Sequence, residues 1–169
     1  MLRFVSWGAH HDVGHKGFST EAKRELVSAL SDYGDVYITS EDPLPDEFED
    51  YRLPIPPTQI HDLLYYANLY AGDSQTMATE AAILGTPAVR SNSFAGEGDM
   101  SNFAELEQEY DLLYSRTEEG ETLEIVGELI ADSDAQDRWR QKREQLIEDK
   151  IDVTDFMLEM IYKLGESDS

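Results

Sequence analysis

The stretch Gly72-Asp73-Ser74-Gln75-Thr76-Met77-Ala78-Thr79-Glu80 sets small and polar residues ahead of a helical run and places a carboxylate inside that run. Gly72 allows a sharp turn, and Asp73 or Ser74 can cap the helix. The amides of Gln75 and Thr76 then fall among the first-turn donors that no helical carbonyl satisfies. Such a terminus suits a phosphate, which gains from the donors and from the helix dipole. Glu80 does not complete a capping box, because the box needs its acid three positions after a Ser or Thr and position 77 is Met. Thr76 and Glu80 are four apart and share a helix face, so a donor of the phosphate site and a carboxylate acceptor project together. Phosphate on the terminus and ribose hydroxyls on Glu80 would describe a nucleotide. A surface glutamate on an ordinary capped helix is the alternative, and spacing alone leaves both open.

A second polar constellation, Gly8-Ala9-His10-His11-Asp12-Val13-Gly14-His15-Lys16-Gly17, follows the first apolar run. Three imidazoles and a carboxylate are adequate metal ligands. A sugar-phosphate contact ranks above a metal, because adjacent His10 and His11 cannot easily turn to one ion and the Gly14 and Gly17 pair fits a loop that approaches a ligand. No metal and no cofactor are expected. The remaining reading has these histidines pairing with an acidic surface. His61, at the start of a later helix, reads as structural.

These residues must be held by a frame, and the apolar pattern supplies one. Short β-branched or aromatic runs at 2–7, 36–40, 51–55, 69–72, 87–91 and 112–115 alternate with stretches of helical period. That alternation predicts a Rossmann-like, doubly wound α/β fold with a parallel sheet of about six strands. Ala22, Leu26, Ala29, Leu30 and Tyr33 form one apolar stripe, and Ile60, Leu63, Leu64 and Ala67 another. Beyond 117 the pattern is helical, at roughly 119–131, 134–149 and 154–164, so a single domain over 1–169 divides into a β/α core (1–117) and a helical extension (118–169). In such a sheet ligands sit beyond the carboxyl ends of the strands, where residues 72–76 and the histidine loop both fall. Residues 91–101, rich in Gly and polar side chains, read as a mobile loop, and 41–51 as a solvated acidic connection. Val153, Phe156, Met157, Met160, Ile161 and Leu164 recur at helical spacing near the end, and that stripe must be covered by this sheet, a second copy or a separate partner.

Composition bounds what the frame can serve. The chain has 169 residues, 40% hydrophobic, with 36 Asp plus Glu against 13 Lys plus Arg and a formal net charge of −23. Nucleic acid and anionic membranes would be repelled. Acid spread along the whole chain, with few lysines, suits a protein working in concentrated salt. There is no cysteine, which excludes disulfides and thiolate zinc. No apolar run is long enough to cross a bilayer and the amino terminus does not read as a signal peptide, so a cytoplasmic protein is expected.

The segment from His61 to Val89, with Asp73-Ser74-Gln75-Thr76, Glu80-Ala81 and Leu84-Gly85-Thr86-Pro87, resembles the nucleotide-sugar-binding half of GT-B-fold enzymes, particularly UDP-N-acetylglucosamine 2-epimerase and related glycosyltransferases. The resemblance implies a diphosphate at Ser74, Gln75 and Thr76, the ribose on Glu80, the base near Ile55 and Pro56, and one of His10 or His11 in the active site, without saying which. Gln75 and Thr76 stand where that pattern has two glycines. Over nearly the whole chain, "AHHDVGH", "IPPTQIHD", "GDSQTM" and "DVT" at 152–154 are similar to an uncharacterised, mostly archaeal family held to share this fold. A donor-binding half for a UDP-sugar follows as the first expectation, completed by a separate amino-terminal half or a homodimer. A non-catalytic binding or regulatory domain comes second and a metal-dependent hydrolase on the histidine loop third.

The charge gives a direct test: dilution from molar KCl to about 0.01 M, where the Debye length grows to about 30 Å, is expected to expand or unfold the protein. Circular dichroism across that series checks it, and full stability in dilute buffer would remove the salt-adapted reading.

Overall fold

The computed structural model describes residues 1–7, 16–96 and 99–167, the last three without their side chains. Five short strands form one parallel sheet: β1 (Leu2–Phe4), β2 (Ile38–Ser40), β3 (Tyr70–Gly72), β4 (Ala88–Ser91) and β5 (Leu113–Arg116). Their order is β2-β1-β3-β4-β5. Leu2 pairs with Ile38 on one side and Ala71 on the other, and Gly72 faces Arg90 across β3 and β4. Leu2, Ile38, Tyr70, Ala71, Ala88, Val89 and Leu113 are completely buried, as strands covered on both faces require.

The helices supply that cover. α1 (Thr20–Ser31) follows β1, and α2 (Ile60–Tyr66), α3 (Gln75–Leu84) and α4 (Ser101–Gln108) carry the chain through the remaining crossovers, before α5 (Glu119–Ala131), α6 (Ala135–Asp149) and α7 (Val153–Ser167). α1 packs against α5 on one face, while α3 meets α2, α4 and α6 on the other. A doubly wound α/β fold results, as the residue pattern led one to expect. Within α1 the buried residues are Ala22, Leu26, Val27 and Leu30, whereas Ala29 and Tyr33 of the expected stripe face solvent.

Two expectations need correction. Residues 51–55 are not a strand: the chain forms a 3-10 turn over Asp46–Tyr51 and touches the sheet only through the Ile38–Arg52 bridge. Prolines at 54, 56 and 57 remove the amides a further strand would have to donate, which leaves five strands. Nor is 41–51 simply a solvated acidic connection, because Leu44 and Phe48 are buried in the core between its acids. An apolar side chain every four residues is a weak signal in a run of aspartate and glutamate.

α6 is anchored by Trp139, which is buried, donates its indole N–H to the Leu112 carbonyl at 2.7 Å and meets Tyr114 edge to face at 5.8 Å. α3 ends at Gly85, whose φ of 83° lies in the left-handed region that favours glycine. On β4 the buried Arg90 pairs with Asp99 and lies 3.8 Å over the Phe103 ring, which ties the start of α4 to the sheet. Trp139→Ala is expected to cost about 3–5 kcal/mol of stability, the usual range for deleting a buried aromatic. Chemical denaturation in high salt measures it, and a loss below about 1 kcal/mol would show α6 to be peripheral to the core.

Candidate functional site

In a sheet of order 2-1-3-4-5 the crossovers diverge between β1 and β3, and the crevice beyond their carboxyl ends is where open α/β folds bind ligands. Asp73, immediately after β3, spans that point. Its carboxylate accepts the Val5 amide at 2.7 Å and the Trp7 indole N–H at 3.2 Å, and it also takes the Phe18 amide. Its carbonyl accepts from the Asn92 side-chain amide at 3.0 Å. The chain segments leaving β1, β3 and β4 are therefore tied to one residue. Asp73 is buried, and burial raises its carboxyl above the usual carboxylate value against the opposing pull of the Val5 and Trp7 hydrogen bonds.

The glycines on either side serve this packing. A Cβ at Gly72 would stand 2.5 Å from the Arg3 carbonyl oxygen, so Gly72 gives close approach between strands rather than the sharp turn expected of it. A Cβ at Gly17 would stand 1.9 Å from an Asp73 carboxylate oxygen and 2.4 Å from the Trp7 indole nitrogen. Gly17 is thus explained by Asp73 and not by a ligand.

With Asp73 engaged below, Ser74 caps α3, its hydroxyl accepting the Met77 amide at 3.3 Å. The Gln75 and Thr76 amides begin the helix without intrahelical acceptors. Gln75 is half-buried and Thr76 exposed. Ala78, Ala81 and Ala82 are fully buried, so α3 lies close on the sheet with its amino terminus held at the crevice. Glu80 is half-buried on the next turn. Its carboxylate lies 3.4 Å from Nε2 of His61, with the two side chains 34% and 61% exposed. His61 belongs to the first turn of α2, directly after half-buried Ile55, exposed Pro56 and the 3-10 turn Pro57–Gln59.

The structure therefore brings Ser74, Gln75, Thr76 and Glu80 onto one helix and adds His61, which had read as structural. No sequence signal marks that pairing, since it depends on α2 packing against α3. His10, His11 and Gly14, with Asp12 and His15, lie outside the described residues. Among the described residues no three His, Asp or Glu side chains gather as metal ligands.

A polar cavity of about 460 Å³ opens at the same sheet edge, lined by Lys16, Gly17, Ser91, Ser93, Thr117 and the Glu118–Gly120 segment. The Lys16 amide donates to the Ser93 hydroxyl at 3.0 Å, and the Ser93 amide to the Lys16 carbonyl at 3.1 Å. Trp7 stacks on Phe94 with centroids 6.0 Å apart. The described part of the expected mobile loop is thus bonded into the site: Ser91, Asn92 and Ala95 are buried. Its small polar residues signalled solvent in the sequence, but here they satisfy backbone groups at the crevice. Another depression of about 260 Å³, between Leu30, Tyr33, Tyr66 and Ile130, lies at the opposite edge of the sheet, away from these groups.

No family model matches the chain, and no curated protein matches it. Among solved structures it is similar to one described as the crystal structure of the glycotransferase of kitacinnamycin, with a TM-score of 0.51 and 13% sequence identity. The superposition covers 86% of this chain and 38% of that one, so this chain spans well under half the length of its structural neighbour. At that identity the likeness carries the fold: a glycosyltransferase-like, Rossmann-like α/β unit. The epimerase and archaeal resemblances rest on their motifs.

Asp73→Asn keeps the shape but cannot accept all three donors, and about 1–3 kcal/mol of stability should be lost. The pH dependence carries the sign. A carboxyl raised in the folded state binds protons more readily there than in the unfolded chain, so its contribution is greatest at low pH and falls as pH rises through the folded value. The stability gap between wild type and Asp73→Asn is therefore expected to widen as pH is lowered toward 3.8. Urea titrations at stepped pH measure it, and a gap that narrows on acidification would show that the fold instead favours the charged form of Asp73 and holds its carboxyl below the usual value.

Proposed function

We propose that this chain binds a nucleotide-diphosphate sugar, with UDP-sugars favoured, as the donor-binding half of a glycosyltransferase-like or epimerase-like protein. The observation that carries the reading is the pairing of two features on α3. Free first-turn amides at Gln75 and Thr76 lie at the β1/β3 crevice, and the Glu80 carboxylate stands five residues further along, about 7–8 Å on the helix axis. That separation suits a diphosphate at the helix terminus and ribose hydroxyls on the carboxylate. The helix dipole and the amides favour the anion. Lys16, on the rim of the polar cavity, adds a cation within an otherwise acidic chain. His61 holds one side of Glu80 and leaves the other carboxylate oxygen for the diol.

The remaining parts follow from position. Ile55 and Pro56 lead into α2 on the His61 side, where a base would rest. By the resemblance to GT-B-fold enzymes, His10 or His11 would serve as the candidate catalytic groups. Transfer and epimerisation both need an opposing surface to present an acceptor or a base, which a separate amino-terminal half would supply. Binding of the donor is the function assigned to this chain, in the cytoplasm and without a cofactor.

Calorimetric titration with UDP and UDP-N-acetylglucosamine in molar KCl tests the reading. Glu80→Ala is expected to weaken binding by about 1–3 kcal/mol, the loss of a charged hydrogen-bonding group, with little change in melting because Glu80 is outside the core. His61→Ala should weaken it less. Absence of UDP-class binding in wild type, or unchanged affinity in Glu80→Ala, would overturn the assignment.

A further inference from the structure

α7 is the feature least accounted for by the rest of the fold. Val153, Phe156, Met157, Met160, Ile161 and Tyr162 are all between 44% and 70% exposed, and among the described residues α7 packs extensively on no other element. Its charged positions, Asp155, Glu159, Lys163 and Glu166, are three or four residues apart and so gather on one side of the helix, with Lys163 and Glu159 paired at 3.3 Å. The rest of the circumference is mainly apolar. An amphipathic helix of this kind buries its apolar face, and a lone helix of 15 residues is marginal in water without such cover.

The same chain carries an unfilled groove of about 510 Å³. Leu106 of α4 and Leu146 of α6 form its floor, and Ile83, Ile147 and Ile151 stand exposed along its walls. The groove reaches Lys150 and Asp152, the short connection from which α7 departs. Helix and groove are thus adjacent yet unoccupied by one another.

We propose that the groove is filled by α7 of a second copy, in a reciprocal exchange about a two-fold axis. Each copy supplies one helix and one groove, so the surface is self-complementary and closes as a dimer. The area is sufficient. Six or more large apolar side chains at about half exposure offer on the order of 80 Å² each, or about 500 Å² per copy. With the groove walls and both exchanged helices counted, burial comes to on the order of 1,500 Å², inside the roughly 1,200–2,000 Å² of a stable interface. Charge permits it as well. In a chain of net −23, α7 from 153 to 164 carries only two acids and one base, and the Lys150 ammonium at the groove is paired with Glu105. The contact therefore joins two mainly apolar surfaces of an acidic protein.

Light scattering of the intact chain in molar KCl is expected to give twice the 19.2 kDa chain mass. Phe156→Glu with Met160→Glu on the helix, and separately Ile83→Glu in the groove, should each yield a folded monomer whose circular dichroism loses at most the contribution of the uncovered α7, since all three positions are exposed. The chain has no cysteine, so Met157→Cys and Ile83→Cys can be mixed and treated with a short thiol-reactive crosslinker. A crosslink between the two variants is expected. A monomer in the wild type would overturn the proposal. So would a dimer that the three glutamate substitutions leave intact, or one in which only Met157→Cys joins to itself.

Discussion

A buried carboxylate organises the carboxyl edge of this sheet. Three parallel strands of three or four residues leave their last turns with few ladder partners, and Asp73 gathers those ends: the amides of Val5 and Phe18, the indole of Trp7 and, through its carbonyl, Asn92. Desolvation opposes that arrangement, and the hydrogen bonds offset it by satisfying donors that would otherwise be buried alone. Gly72 and Gly17 are constrained by it, because any side chain at either would meet the strand or the carboxylate. The crevice above can stay open because its floor is held from below.

On that floor α3 converts position into chemistry. Three fully buried alanines set its distance from the sheet, and Ser74 fixes where it begins. With those given, neither the terminal amides nor Glu80 has freedom to be elsewhere. A larger residue at Ala78 or Ala81 would lift the helix and move both groups together. The low-volume face of α3 thus sets where the groups of the candidate site stand. His61 reaches Glu80 only because α2 packs on α3, which makes the pair a tertiary product of two short helices.

Much of this frame was legible in residue pattern, and the misses have physical causes. β3 and β4 are buried throughout, while β1, β2 and β5 each keep a fully buried apolar residue beside half-buried polar ones, so short runs of β-branched and aromatic residues set between helical stretches were the strand signal. Residues 51–55 carried the same apolar and aromatic character, but prolines diverted them into turns. Phe48 and Leu44 were masked by surrounding acids whose role is solvation. At the candidate site, the Ser74 cap and the shared helix of Thr76 and Glu80 were legible because capping and helical spacing are local. His61, Lys16, Ser93 and the role of Gly17 were not, since each acquires its meaning from a residue more than ten positions away.

α3 also joins two surfaces that differ in kind. Ser74 caps its amino terminus after β3 and Glu80 meets His61 of α2, while Thr79 and Ile83 line the apolar groove beside α4 and α6. The Thr79 hydroxyl donates to the Gln75 carbonyl at 3.2 Å, so a groove residue is bonded to the turn whose amides open onto the crevice. Packing of Ala78, Ala81 and Ala82 leaves the helix no room to tilt between these demands. Whatever fills the groove bears on a helix already fixed by the sheet, so burial there adds stability to α3 along its existing axis. One ten-residue helix therefore leaves its amino terminus and its Thr79–Ile83 flank open to solvent, because its alanine face is committed to the core.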